Sequence, residues 1–345
     1  MESMITSYKD TAILAEWGLQ PENVYQTAGY LKADALSSGG EPYIFLYAEG
    51  DVRAAIPFLK KAIPYTIAKD KRLFDATGPY GYAGIAGVRK DAHVVPGILA
   101  AFIAMAREER IISCFLRLHP ITHAFTIPAA QGVQQVMHGK TVAIDLQKSV
   151  QAIRNNFSTN HKRDIKKLQA EGFQVHINRW EEYVAFQKAY RQTMELRNAR
   201  AHYFFSDAYF DQLRDAELHM QLFTAHAPDG TVASATLFFA NGDIVEYHLG
   251  GTMQEARHAA ASKLIFDAAI PHFQRSGAKY LHIGGGYGSA EDSLFRFKSG
   301  FSRDLFTYST IRLICDQDVY AQLSRKKETE AGEKLAADFF PLYRS

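Results

Sequence analysis

Residues 245–301 constrain the possible fold of this chain more than any other stretch. They predict a strand, a loop, a helix over 255–275, a strand over 279–283 and a short basic-aromatic helix that ends at a glycine. A ligand-binding crevice requires this order of elements. Three glycines follow the second strand, namely Gly284, Gly285 and Gly286.

The glycine-rich loop and the helix after it hold the first candidate site residues. Glycine lets the backbone approach a ligand closely or adopt a positive φ. The triplet forms neither a GxGxxG pattern nor a P-loop, so these motifs give no indication of nucleotide binding. A tight turn followed by a solvated helix face is the alternative interpretation. The polar residues that favour a site are Asp292, Arg296 and Lys298.

Length and composition restrict the class of protein. A chain of 345 residues favours two domains, and a net charge of +2 excludes a purely electrostatic nucleic-acid binder, although a local basic patch is still allowed. Cys114 and Cys315 lie in apolar runs and predict buried thiols, and without metal-ligand spacing we expect no metal. The N-terminus lacks a signal-peptide pattern and no apolar run approaches about 18 residues, so we expect a cytoplasmic protein.

The order of predicted elements indicates a mixed α/β fold in two halves. The second half predicts a basic helix, a strand, a helix, three antiparallel strands, a helix, a strand, a small helix and a strand. The first half has a shorter version of this order. We therefore expect one domain over 1–148, a second over 149–316, and a helical tail over 317–345 that packs on the first domain.

Four segments resemble the Fem family of peptidoglycan-bridge aminoacyltransferases, within the GCN5-related N-acetyltransferase (GNAT) superfamily. They are PYGYAG at 79–84, the run from TVAIDL to HKRDIKKLQAEG, the run YRQTMELR at 190–197, and LGGT at 249–252 with GAKYLHIGGG…DSLFRFKSGF at 277–301. The resemblance implies an α/β fold of two tandem GNAT-like domains, with the tail returning to the first. Sustained heptads are missing, so the chain resembles the compact members that lack a coiled-coil arm.

The resemblance also implies an activity, which is aminoacyl transfer from aminoacyl-tRNA to an amine of a cell-wall precursor, without a bound cofactor. Attack of an amine on an ester carbonyl develops an oxyanion, which a cation stabilises. Lys298 matches the family's lysine for this role, and Phe297 would present its backbone carbonyl to the amine. His248 suits proton transfer as a residue type. The candidates for binding the acceptor are Arg197, Tyr203, Tyr80 and Tyr82.

The donor and the acceptor stay open at this point. The basic stretch 154–167 predicts contact with tRNA phosphates, or else a solvated helix face. The rival enzyme is an acyl-CoA-dependent N-acyltransferase, with Arg257 at the phosphate loop; there Ala260 replaces a glycine and disfavours CoA. The third possibility is a non-catalytic protein that binds a glycan or peptide. An acceptor embedded in a membrane would require peripheral contact with its cytoplasmic face.

Overall fold

The structure is a computed structural model and describes residues 1–64, 72–88, 93–216, 218–332, 334–336 and 338–345. The chain divides into two compact units. Unit 1 comprises Met1–His138 and Thr307–Ser345, and unit 2 comprises Gly139–Phe306. Both divisions fall inside strands, earlier than the predicted positions 148 and 316, since these strands run from one unit into the other.

Unit 1 is built on a sheet in the order β1-β2-β3-β4-β5-β12, where only β4 and β5 pair in parallel. Helix α3 connects this parallel pair. The C-terminal segment belongs to the same unit, where Tyr343 and Arg344 both donate hydrogen bonds to Asp75. The elements are β1 (Glu2–Ser7), α1 (Ala12–Glu16), α2 (Ala28–Ser38), β2 (Glu41–Glu49), β3 (Val52–Ala62), β4 (Phe74–Thr77), α3 (Val95–Glu108), β5 (Ile111–Arg117), β12 (Asp304–Ile314) and α10 (Gln317–Ala331).

Unit 2 repeats this plan with the order β7-β8-β9-β10-β11-β6, and only β10 and β11 pair in parallel. Helix α8 makes the crossover, which parallel strands require. The elements are β6 (Val133–Asp145), α4 (Val150–Asn155), α5 (Thr159–Ala170), β7 (Gln174–Ile177), α6 (Tyr183–Leu196), α7 (Asp207–Asp215), β8 (Met220–His226), β9 (Val232–Asn241), β10 (Ile244–Thr252), α8 (Ser262–Arg275), β11 (Tyr280–Gly285) and α9 (Ser293–Ser299).

The two faces of the unit 2 sheet bury different helices. Phe238 and Phe239 are neighbours on β9, so their side chains point to opposite faces. Phe238 packs against Phe266 of α8, and Phe239 packs against His248, whose ring is bonded to Tyr209 of α7. One face is therefore the α8 face, and the other is covered in part by α7.

Two predicted helices differ in their bounds. The basic helix is two helices, because the hydroxyl of Ser158 caps a new start at α5 by accepting from the His161 N–H. The helix predicted to begin at 255 begins at Ser262, after a turn in which Ala260 has a φ of 57°. This left-handed conformation ends any helix that approaches it from the N-terminal side.

Candidate active site

The parallel strands of unit 2 stop pairing at one point. β10 and β11 are in register only from Ile244 and Tyr280 to Glu246 and His282. Each strand then has a bulge, between Tyr247 and Leu249 in β10 and after His282 in β11. A bulge bends its strand and increases the twist. The two strands therefore diverge while each stays paired with its other neighbour.

Lys298 lies at this divergence. Its ammonium group donates a hydrogen bond of 2.8 Å to the Gly285 carbonyl, at the end of β11, and lies 5.4 Å from the centre of the Tyr247 ring of β10. The side chain is 7% exposed. Burial lowers the pKa of Lys298 to about 8, against the opposing effect of Asp292. The group is mainly a cation at neutral pH, in surroundings of low polarity.

Asp292 organises the loop that leads into α9. One carboxylate oxygen accepts a 2.8 Å hydrogen bond from the Phe295 N–H and caps the helix, and the other accepts from the Tyr287 N–H at 3.1 Å. Burial raises the pKa of Asp292, but the backbone N–H donors and the nearby Lys298 outweigh it and the pKa is lowered. Both oxygens are used by the protein itself, so Asp292 shapes the site and is poorly placed to bind substrate as predicted.

The three glycines are required by the backbone around Lys298. Gly284 has a φ of 75°. A β-carbon on Gly285 would lie 2.7 Å from the Lys140 carbonyl oxygen, and one on Gly286 would lie 2.0 Å from the Ala290 carbonyl oxygen. Close packing of the loop therefore explains the triplet, which the sequence interpreted as a surface for a ligand.

Phe297 does not present its carbonyl as the sequence predicts. That oxygen accepts a 2.8 Å hydrogen bond from Nε2 of His161, a buried residue of α5. The ring of His161 packs against Phe301, and a β-carbon on Gly300 would lie 2.5 Å from it. The Phe297 carbonyl is thus directed at α5. This hydrogen bond joins α9 to α5.

His248 is a poor candidate for the proton acceptor. Its Nε2 lies 2.7 Å from the Tyr209 hydroxyl, on the sheet face opposite to α8. Lys298 instead lies beside Tyr247, whose ring packs against Phe266 of α8. Burial lowers the pKa of His248 to about 3, so it is a very weak base. Tyr247 and His248 are neighbours on β10, so their side chains point to opposite faces of the sheet and His248 lies away from Lys298.

The structure places Tyr203, but not Arg197, beside the loop that precedes α9. The Tyr203 ring lies 6.0 Å from that of Tyr287, and the Arg200 guanidinium lies 5.8 Å from the Tyr287 ring centre. Arg197 is the exposed C-cap of α6. The sequence interpretation missed Arg200 and Tyr287, although the basic and aromatic character of both was visible beside the chosen residues.

The remaining predicted residues lie elsewhere. Tyr80 and Tyr82 belong to unit 1, where the Tyr80 N–H donates to Asp34 and the Tyr82 ring packs against Tyr308. Arg257 and Arg296 are exposed residues of unit 2. Arg257 makes a hydrogen bond of 3.0 Å to His258, and Arg296 makes one of 3.3 Å to the Glu291 carbonyl.

Helix α5 has a positively charged outer surface. His161, Ile165 and Leu168 face the core. Arg154, which precedes this helix on α4, is tied to Asp267 by hydrogen bonds of 2.6 and 2.8 Å and is therefore structural. The exposed basic residues of α5 are Lys162, Arg163, Lys166 and Lys167. His161 of the same helix bonds the Phe297 carbonyl of α9, so these basic residues lie on a helix that contacts α9, which carries Lys298.

Comparisons with known proteins identify the fold. Residues 155–299 match the acetyltransferase (GNAT) domain family. The structure is similar to that of FemX, with a TM-score of 0.69 and 14% identity, over 93% of this chain and 99% of FemX. It is also similar to the C-terminal domain (DUF2156) of a putative lysylphosphatidylglycerol synthetase from Agrobacterium fabrum, with a TM-score of 0.53 and 12% identity, over 93% and 95% of the two chains.

A further similar structure is L-PGS from Bacillus licheniformis, with a TM-score of 0.52 and 12% identity, over 90% of this chain and 92% of that one. No curated protein matches significantly. At these identities the likeness is one of fold, and it confirms the predicted mixed α/β architecture of two GNAT-like domains. The family match supports the predicted acyltransferase class. Within the described ranges, no helix is long and apolar enough to cross a bilayer.

Proposed function

We propose that this protein transfers an acyl group to an amine and that the Lys298 ammonium stabilises the oxyanion of the tetrahedral intermediate. The observation that carries the proposal is a buried cation at the point where β10 and β11 diverge. A fixed charge in a water-poor site stabilises developing negative charge far better than one in water. The hydrogen bond to Gly285 holds the ammonium in place, and an ammonium carries three donors.

The reaction follows from this placement. The amine nitrogen attacks the carbonyl carbon of the donor, a C–N bond forms, and the carbonyl oxygen takes the negative charge beside Lys298. In an ester donor, collapse of the intermediate breaks the bond between the carbonyl carbon and the ester oxygen, which leaves. The proton lost by the amine passes to that leaving oxygen, so charge and atoms balance.

For the donor we propose aminoacyl-tRNA, and for the acceptor an amine-bearing cell-wall precursor. The support is the sequence resemblance to the Fem family, the FemX-like fold and the basic surface of α5. Four exposed cations on one helix suit the repeated phosphates of a nucleic acid. Their helix contacts α9 directly, through the bond between His161 and Phe297.

An acyl-CoA donor is the second candidate, and one observation favours it. Ala260 adopts a φ of 57° directly before α8, which is the conformation that a glycine of a phosphate-binding turn would supply at no cost. The backbone thus adopts the conformation of a phosphate-binding turn although residue 260 is an alanine. Arg257 is exposed three residues earlier and is available to a phosphate.

A transfer assay with two donors distinguishes these candidates. We expect label from a pool of radiolabelled aminoacyl-tRNAs to appear on a muramyl peptide that carries a lysine amine, and no label to be transferred from acetyl-CoA. The Lys166→Ala/Lys167→Ala double variant should raise KM for aminoacyl-tRNA and reduce its salt dependence, because it removes phosphate contacts. Lys279→Ala, which changes an exposed lysine bonded to Asp243, is the control.

The outcomes of this assay separate donor from mechanism. Transfer from acetyl-CoA alone would contradict the tRNA donor and leave acyl transfer standing. Absence of transfer from either donor to the muramyl peptide or to any other primary amine added as acceptor would contradict the acyltransferase proposal. An equal effect of Lys279→Ala and the double variant would remove α5 from donor binding.

The pH dependence of transfer should report the charge of Lys298. Because the protonated form is the active one and its pKa is about 8, kcat should fall as pH rises above about 8. Asp292→Asn keeps a cap for α9 but removes the negative charge that raises the pKa of Lys298. The alkaline limb should therefore move to lower pH in this variant.

Comparison of the two profiles isolates the lysine, because the substrate amine titrates identically in both. The measurement is kcat against pH at saturating substrate. A profile whose alkaline limb is the same in both proteins would show that Lys298 is not the titrating group. An increase of activity in step with deprotonation of Lys298 would show that the lysine acts as a base.

A further inference from the structure

Three potential metal ligands converge on unit 2, away from Lys298. His176 of β7 lies opposite Thr224 of β8, and His226 lies opposite Gln174, so the two histidines are diagonal neighbours on one face of the sheet. Glu182 ends a short 3-10 helix directly before α6. The nitrogen and oxygen ligand atoms of the three residues all lie within 4.8 Å of one another.

His226 and Glu182 face each other across a position that a cation can occupy. Nδ1 of His226 lies 3.0 Å from the Gly230 carbonyl oxygen, which only accepts, so this nitrogen carries the hydrogen. Its Nε2 lies 3.1 Å from the Glu182 carboxylate. The Thr224 hydroxyl donates its only hydrogen to Glu182 at 2.5 Å. A ring nitrogen and a carboxylate oxygen thus face each other at contact distance, an arrangement that either a shared proton or a metal ion stabilises.

His176 supplies an independent observation. Its Nδ1 is buried and makes no hydrogen bond to the part of the chain that the structure describes. The centre of its ring lies 4.3 Å from that of His226. Buried ring nitrogens without a hydrogen-bond partner are uncommon in folded proteins, because each costs free energy unless a partner is bound.

The site is reachable from solvent. The three residues line a pocket of about 290 Å³ together with Arg179. The guanidinium of Arg179 approaches the Glu182 carboxylate only to 3.9 Å, and its side chain is half exposed. Such a pair is a weak interaction. A cation that enters the pocket can therefore displace this arginine.

We propose that His176, Glu182 and His226 bind a zinc ion. Two imidazoles, one carboxylate and a water molecule form a common tetrahedral zinc site. Ligands about 2.1 Å from zinc lie about 3.4 Å apart, so small side-chain rotations close the site. The Gly230 carbonyl already holds the outer nitrogen of His226, as partners of metal ligands do.

The ion would tie β7, the last strand of this sheet, to β8 and to the start of α6. Val175 and Ile177 point to the α8 face, so His176 points to the opposite face. The site is thus distinct from Lys298, and its role is to stabilise this end of unit 2. It also differs from the metal-free expectation, which rested on the cysteines alone.

Zinc binding to the full-length protein without a histidine tag tests the proposal. After dialysis against a chelator and its removal, calorimetric titration with ZnCl₂ should give one ion per chain, and zinc should raise Tm. His176→Ala and His226→Ala should each weaken Kd by more than about 100-fold, since loss of a ligand exceeds the loss of a ligand's partner. His258→Ala, at an exposed histidine, should bind like the wild type.

Two further variants keep the test decisive. Glu182→Gln preserves the size of the side chain and should weaken Kd at least about 10-fold, even if the histidine variants fold poorly. Lys298→Ala should bind zinc like the wild type, which separates this proposal from acyl transfer. Absence of zinc binding by the wild type, or the same Kd in His226→Ala and His258→Ala, would overturn the proposal and leave a Glu182–His226 ion pair.

Discussion

Replacing Lys298 with alanine is expected to lower kcat of acyl transfer by about 100- to 1,000-fold, the usual cost of losing one oxyanion donor. KM for either substrate should change little, because the developing charge exists only in the transition state. The measurement is steady-state transfer with the donor that the two-donor assay identifies. Lys298→Met should lose as much activity, although it fills a similar volume, since it lacks the charge.

These variants should remain folded, which makes the kinetic result interpretable. The pKa of Lys298 falls from its usual 10.5 to about 8 on folding, so the folded state binds this proton less tightly. Below pH 8 the charge costs roughly 3 kcal/mol of stability, a cost that disappears as pH rises to the unfolded value. Lys279→Ala should retain full activity. A Lys298→Ala enzyme with kcat near that of the wild type would remove the lysine from the mechanism.

Replacing Gly286 with alanine is expected to cause the second large effect, on both activity and stability. The β-carbon would lie 2.0 Å from the Ala290 carbonyl oxygen and 2.5 Å from Oδ1 of Asp292. The loop has to shift, and with it the cap of α9 and the Gly285 carbonyl that holds Lys298. We expect the free energy of unfolding to fall by about 1–3 kcal/mol and kcat to fall with it.

Gly288 offers a matched control in the same loop. It has a φ of 57°, but a β-carbon there would meet no atom within 4 Å. Gly288→Ala therefore adds only backbone strain of about 1 kcal/mol. Urea unfolding and kcat of both variants give the comparison. Equal losses would show that strain, and not contact with Ala290 and Asp292, determines the effect of Gly286→Ala.

Much of the fold follows from local patterns in the sequence. The β-meander is marked by Asp229-Gly230 and Asn241-Gly242, and the structure forms β8, β9 and β10 around these turns. Bounds were harder to predict where a single residue changes the backbone. Ser158 divides the basic helix by capping α5, and Ala260 delays α8. Neither a serine nor an alanine in a helical pattern is a reliable break by itself.

The candidate site was only partly predictable. The sequence pattern identified Lys298 and the glycines, the resemblance suggested a role for Lys298, and the structure places them together. The differences concern the direction of side chains. Tyr247 and His248 are neighbours on β10 and point to opposite faces, but the sequence does not show which of these faces Lys298 reaches. The partner of the Phe297 carbonyl, His161, comes from a distant helix.

By itself the sequence determined much of the order of helices and strands, the two-domain plan and the presence of a glycine-rich loop before a lysine-bearing helix, but it did not indicate β1, α1, α2 or α7. These features depend on residues close together in the chain, whose spacing is visible directly. Only the tertiary structure decided that Lys298 is buried with a lowered pKa, that His248 lies on the other face, and that His176, Glu182 and His226 meet. Burial and ligand geometry arise from the pairing of β7 with β8 and the divergence of β10 from β11, which no local pattern records.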